Sequence, residues 1–109
     1  CLCLSVLLVA CQPTSFEQYF VNGKTSMSQG NYTEAVIQFK NAVRLEPEHG
    51  EARFLLGQTY LKLKKLDVAE KEFERALELN YSKTQIIPLL SELYYQLGNE
   101  TSLLAILPS

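Results

Sequence analysis

A lone histidine, His49, stands among Glu46, Glu48 and Glu51, a grouping that could serve as a metal cluster or as an acid–base pair. A single imidazole excludes a multi-histidine metal site, and His49 lies beside Pro47 between two helical segments, so the group reads as a solvated loop. Lys62, Lys64 and Lys65, with Lys71 and Arg75 nearby, form a basic patch that could meet anionic headgroups or polysaccharide; Glu70, Glu72 and Glu74 nearly balance it. The thiols Cys1, Cys3 and Cys11 all fall at the start of the chain and cannot staple the remainder into a disulfide framework. Phosphate loop, nucleophile motif and ligand cluster are all missing. The expectation is a protein with no catalysis, no cofactor and no metal. Ten Lys+Arg against twelve Asp+Glu in 109 residues, a formal net charge of −2, leave no basic excess for nucleic acid.

Residues 1–10 carry no charge. As a helix they would span about 15 Å, half a bilayer core, which suits the apolar region of a secretory signal rather than a membrane span. A basic leading region and an initiator Met are missing, so the chain reads as starting inside its own leader. Leu8-Val9-Ala10-Cys11 resembles the bacterial lipobox, in which small residues precede a cysteine that is lipidated and becomes the mature N-terminus. That resemblance implies a diacylglyceryl thioether on Cys11, with residues 11–15 as lipidated Cys and tether. Several acyl chains, each methylene contributing about 0.8 kcal/mol, anchor a protein without a spanning helix. Gln12 in place of Asp after the cysteine implies the outer membrane rather than the inner.

The rest of the chain repeats with a stride of 34 residues. That shift lays Glu17 on Glu51, Phe20 on Phe54, Gly23 on Gly57 and Thr25 on Thr59. It also lays Ala35 on Ala69, Phe39 on Phe73, Ala42 on Ala76 and Leu45 on Leu79; Tyr60 falls on Tyr94, and Gly30-Asn31 on Gly98-Asn99 two strides later. Small and bulky apolar positions recur while surface positions vary, which is the mark of repeated packing. Apolar spacing predicts two helices per unit. Gly30 stops the first helix, and Asn31 caps the second with Glu34 as capping-box partner. Pro47 closes that unit. Unit two predicts helices over 52–63 and 68–79, with Lys65 where Asn31 stood and Asp67 available as a cap. Unit three predicts 86–97 and, after Asn99, 103–107. The fold class is all-α. Gly23, Ala35, Phe39, Ala42, Gly57, Tyr60, Ala69, Phe73 and Ala76 are the expected packing residues.

These positions resemble the tetratricopeptide repeat, a helix–turn–helix unit of the same length. The resemblance covers residues 16–107 and implies a right-handed solenoid of about two and a half repeats: 16–49, 50–83 and a truncated 84–109. Ser26, Tyr81, Ser91 and Leu103 depart from its pattern. It also implies a concave face lined by the first helix of each unit, where extended peptides or partner helices bind. Expected groove residues are Glu17, Phe20, Lys24 and Met27, then Glu51, Phe54, Gln58 and Leu61, then Gln85, Glu92 and Tyr95. Clamps for a C-terminal carboxylate place Lys and Asn at fixed groove positions; Phe20, Lys24, Leu55, Gln85 and Leu89 stand there, so that clamp is not expected. More narrowly, the lipobox with residues 51–57, 69–79 and 88–90 resembles the start of the repeat lipoproteins of the PEP-CTERM/exosortase system.

That narrower resemblance implies a periplasm-facing scaffold anchored through Cys11, with a protein or peptide partner, in exopolysaccharide and surface-protein export. Three alternatives stay open on the residues: a lipoprotein assisting pilus or secretion-pore assembly, the non-catalytic leading segment of a larger envelope enzyme, and a cytosolic repeat co-chaperone, which requires that Cys11 stay unmodified. The chain is expected to continue past Ser109, because Leu103, Leu104, Ile106 and Leu107 would otherwise be only partly covered.

Overall fold

The computed structural model describes residues 15–108. The leader-like run, Cys11 and the tether up to Thr14 lie outside the described residues. Six helices follow in order, with no strand among the described residues: α1 Phe16–Ser28, α2 Tyr32–Leu45, α3 Gly50–Lys62, α4 Leu66–Glu78, α5 Lys83–Gln96 and α6 Glu100–Ile106. They pair as α1/α2, α3/α4 and α5/α6, the last pair shortened because α6 has only seven residues.

One device ends four of the helices. A residue with positive φ follows the helix (Gly30, Lys64, Asn80 or Gly98), and the next N–H donates back to a carbonyl five residues earlier. Asn31 N donates to Ser26 O at 2.8 Å, Lys65 N to Tyr60 O at 3.0 Å, Tyr81 N to Ala76 O at 3.0 Å and Asn99 N to Tyr94 O at 2.8 Å. This closure satisfies carbonyls that a helix end would otherwise strand. Helix starts differ more. Ser15, Asn31 and Asn99 accept from the third backbone N–H onward, whereas Lys65 and Ser82 give no side-chain cap.

Three local expectations need correction. His49 is not simply solvated: its Nδ1 accepts from Ala52 N at 3.2 Å and caps α3, while its ring lies 4.5 Å from Phe16 and 5.3 Å from Phe20. Asp67 does not cap α4, because the helix already begins at Leu66 and places Asp67 in its first turn. The capping box at Asn31 is half made: Glu34 Oε1 accepts from Gln38 Nε2 at 2.7 Å instead of returning to Asn31.

Two apolar cores lie between the layers. The first joins Phe20, Ala35, Phe39, Ala42 and Val43 to Ala52 and Leu56 of α3. The second joins Phe54, Ala69, Phe73 and Ala76 to Ile86, Leu90, Leu93 and Tyr94 of α5. Helix α3 thus gives one face to each core, and Tyr60 packs against both. The small residues do what their spacing predicts. A Cβ at Gly23 would stand 2.6 Å from Phe39 Cε1, and one at Gly57 2.8 Å from Phe73 Cε1. Each phenyl ring is seated on a bare backbone, and all four repeated alanines are fully buried. Arg53 ties the middle hairpin, donating to Glu72 Oε2 at 3.1 Å and, through Nε, to Pro47 O at 3.1 Å. On α6, Leu103 and Ile106 lean on the second core, while Leu104 is 72% exposed.

Candidate functional site

The first helices carry the open side of the molecule. Along α3, Glu51, Leu55, Gln58 and Lys62 recur at helical spacing and form a stripe between its two buried faces. Three adjoining depressions begin over this stripe and continue past its end. The first, about 400 Å³, is bounded by Lys24, Met27 and Tyr32 on one side and Glu51, Leu55 and Lys62 on the other. The second, about 380 Å³, shares Met27 and Lys62 with it and adds Gln58, Leu61, Lys64 and Leu89. The third, about 310 Å³, shares Leu61, Lys64 and Leu89 and extends to Leu66, Glu92 and Gln96. Shared walls make them one trough, with apolar side chains on its floor and charge at its rim.

Of the expected groove residues, Lys24, Met27, Glu51, Gln58, Leu61 and Glu92 line this trough. Glu17, Gln85 and Tyr95 are exposed outside it. Phe20 and Phe54 depart from the expectation, being 7% and 5% exposed. Phe20 stacks on Phe16 at 5.2 Å, and Phe54 lies 5.6 Å from Phe73 and 5.2 Å from Tyr81. An aromatic ring buries too much apolar area to be left in a solvated groove when a core is within reach. Leu55, Lys62, Lys64 and Leu89 were not among the expected residues. For Leu55 and Lys62 the signal is the stripe itself, once Ala52, Leu56 and Gly57 are assigned to the packed face; Lys64 follows α3 and belongs to the basic patch of the sequence, and Leu89 stands on α5.

The rim is unevenly paired. Lys24 Nζ lies 3.7 Å from Glu51 Oε1 and 4.3 Å from the Phe20 ring centre, an exposed arrangement worth little by itself. Glu92 Oε1 accepts from Gln96 Nε2 at 2.8 Å. Lys62 and Lys64 are exposed and make no ion pair among the described residues. Elsewhere, Glu46, Pro47, Glu48, His49 and Arg75 line a separate cleft of about 520 Å³. Among the described residues no group of His, Cys, Asp and Glu is placed to hold a metal ion, and no helix is long and apolar enough to cross a membrane. Between α5 and α4, Tyr94 donates its hydroxyl to Glu74 Oε1 at 2.7 Å. Burial first, and then that carboxylate, push the Tyr94 phenol well above its ordinary range.

Stacked helical hairpins with an open trough along their first helices define a helical-repeat solenoid. Residues 20–82 match the tetratricopeptide repeat family, and the chain belongs to that family. Among curated proteins, anaphase-promoting complex subunit 3 of Schizosaccharomyces pombe (strain 972 / ATCC 24843) is 29% identical over 82 residues. The match covers 75% of this chain and 12% of that protein, so the chain spans only a small part of its relative's length. Among solved structures, the first TPR of Spaghetti (RPAP3), bound to the HSP90 peptide SRMEEVD, superposes with a TM-score of 0.70 at 24% identity. It covers 76% of this chain and 66% of that one, and the likeness speaks to the fold.

Proposed function

We propose that the chain is a non-catalytic interaction scaffold that seats a protein or peptide partner in the trough along α1, α3 and α5. The observation that carries this reading is the continuity of the trough: three depressions share walls, and half-buried leucine and methionine lie among charged side chains. A surface of that shape matches an extended segment better than a compact small molecule. That a solved relative in fold holds a peptide supports the same reading.

The finer setting is proposed from the leading residues. The apolar run 1–10 and the lipobox-like Leu8-Val9-Ala10-Cys11 support a lipid anchor on Cys11 that holds the scaffold in the periplasm, on the outer membrane in preference to the inner. Residues 51–57 and 69–79 support a place in exopolysaccharide and PEP-CTERM surface-protein export. The test is site-specific photocrosslinking in cells that make the whole protein, with a probe at Gln58 in the trough or at Ile37 on exposed α2. A defined adduct from Gln58 alone is expected, together with palmitate labelling that disappears in Cys11→Ser. Equal adducts from both positions would overturn the trough, and labelling that survives in Cys11→Ser would overturn the anchor.

A further inference from the structure

Repeats one and three close their first helix with the same pair of residues. Gly30 and Gly98 take the left-handed turn, at φ 76° and 72°, and Asn31 and Asn99 cap the helix that follows. In repeat two that pair is Lys64-Lys65. Lys64 holds the same turn at φ 62°, a region that a residue bearing a Cβ enters at a cost. Lys65 begins α4 with no side-chain cap. Both replacements work against the local backbone. A lysine kept where its own turn favours glycine points to a role beyond the turn.

The trough shows what that role is. Lys64 lines its second and third depressions, and Lys62 lines the first and second. Both share the second depression with Met27, Gln58, Leu61 and Leu89, and no carboxylate lines it. Glu51 lines only the first depression and Glu92 only the third, and neither ammonium has a carboxylate partner among the described residues. Two unpaired cations above an apolar floor complement a chain that carries both apolar side chains and carboxylates. We infer that the occupant of the trough is an extended acidic peptide segment. Its apolar side chains sit on Met27, Leu61 and Leu89, and its carboxylates pair with Lys62 and Lys64. This inference rests on the trough being a partner's seat and adds the partner's charge.

The test uses the full chain and a fluorescently labelled short peptide alternating leucine with glutamate, its anisotropy read at low and high salt. Matched peptides carrying glutamine or lysine in place of glutamate serve as comparisons, with phosphatidylglycerol vesicles as a separate arm. The acidic peptide should bind tightest and weaken as salt rises. Lys62→Gln, and the pair Lys64→Gly with Lys65→Asn, should each weaken it by roughly fivefold, the worth of about one exposed ion pair. The second variant restores the turn of the other repeats, so its Tm should rise while its affinity falls. A raised Tm with unchanged affinity would sink the inference. If all three peptides bind equally, the trough remains a seat but has no preference for acidic guests, and only this inference fails. Binding to the vesicles with none to any peptide overturns it as well.

Discussion

A methyl group added at Gly57 would stand 2.8 Å from Cε1 of Phe73, a ring with no exposed surface and no room to retreat. Two effects compete there. Alanine is the better helix former by about 1 kcal/mol, but overpacking a closed core costs about 1–3 kcal/mol. The clash is with the near edge of a buried ring rather than with the tip of a flexible chain, so the second effect wins. Gly57→Ala is expected to lower stability by about 1 kcal/mol or more in urea unfolding. A gain in stability would show that the ring can shift. Gly23, at 2.6 Å from Phe39, should respond at least as strongly. The pairing of these glycines with their phenylalanines is legible in the sequence, because both recur at the same stride. His49 is not: histidine is an uncommon cap, and its stacking on Phe16 and Phe20 depends on how α1 and α3 approach one another.

Among the helices, α5 carries a defect that its neighbours lack. Pro88 lies inside it and is exposed, so the helix loses one backbone hydrogen bond without any packing in return. Pro88→Ala should therefore stabilise the chain by about 1–3 kcal/mol. Thermal unfolding is the measurement, and an unchanged Tm would mean that the helix has already adapted around the proline. Helix ends are legible wherever Gly-Asn punctuates them, as at residues 30–31 and 98–99. Starts are less so: α3 and α4, where His49 and Lys64-Lys65 replace the usual residues, begin two residues earlier than apolar spacing predicts, and α5 and α6 begin three earlier. The site is legible by half for a related reason. Apolar periodicity marks the side of a helix that avoids water, but α3 has two such sides, one toward each core. The groove is the narrow stripe left between them, and a first-helix position taken from the repeat resemblance does not separate that stripe from the packed faces, so Phe20 and Phe54 are expected in it when both belong inside.

Across the whole molecule, the hairpins are joined by apolar contact and by a small number of polar ties. Tyr94 on α5 donates to Glu74 on α4 at 2.7 Å and links the third hairpin to the second. Its proton is held more tightly in the folded chain than in the unfolded one, so the stability it contributes is fully present below the unfolded phenol's pKa of about 10. That contribution is lost as pH rises through the higher folded value. Tyr60 and Tyr81 are raised as well, by burial first and then by Glu72 and Glu51 respectively. Stability should hold up to about pH 10 and then fall. Tyr94→Phe should cost about 1 kcal/mol at neutral pH and make the alkaline fall shallower. Urea unfolding across a pH series checks this, and an equally steep fall in the variant would remove Tyr94 from the account.

The two phenylalanine seats are alike in depth and partner, and they lie one stride apart along the chain. A cassette copied from residues 50–83 and spliced in after Lys83 would bring its own seat, its own ring and its own pair of mating surfaces. Such a lineage can lengthen by duplication without redesigning any joint, and each added copy extends the span available to a guest.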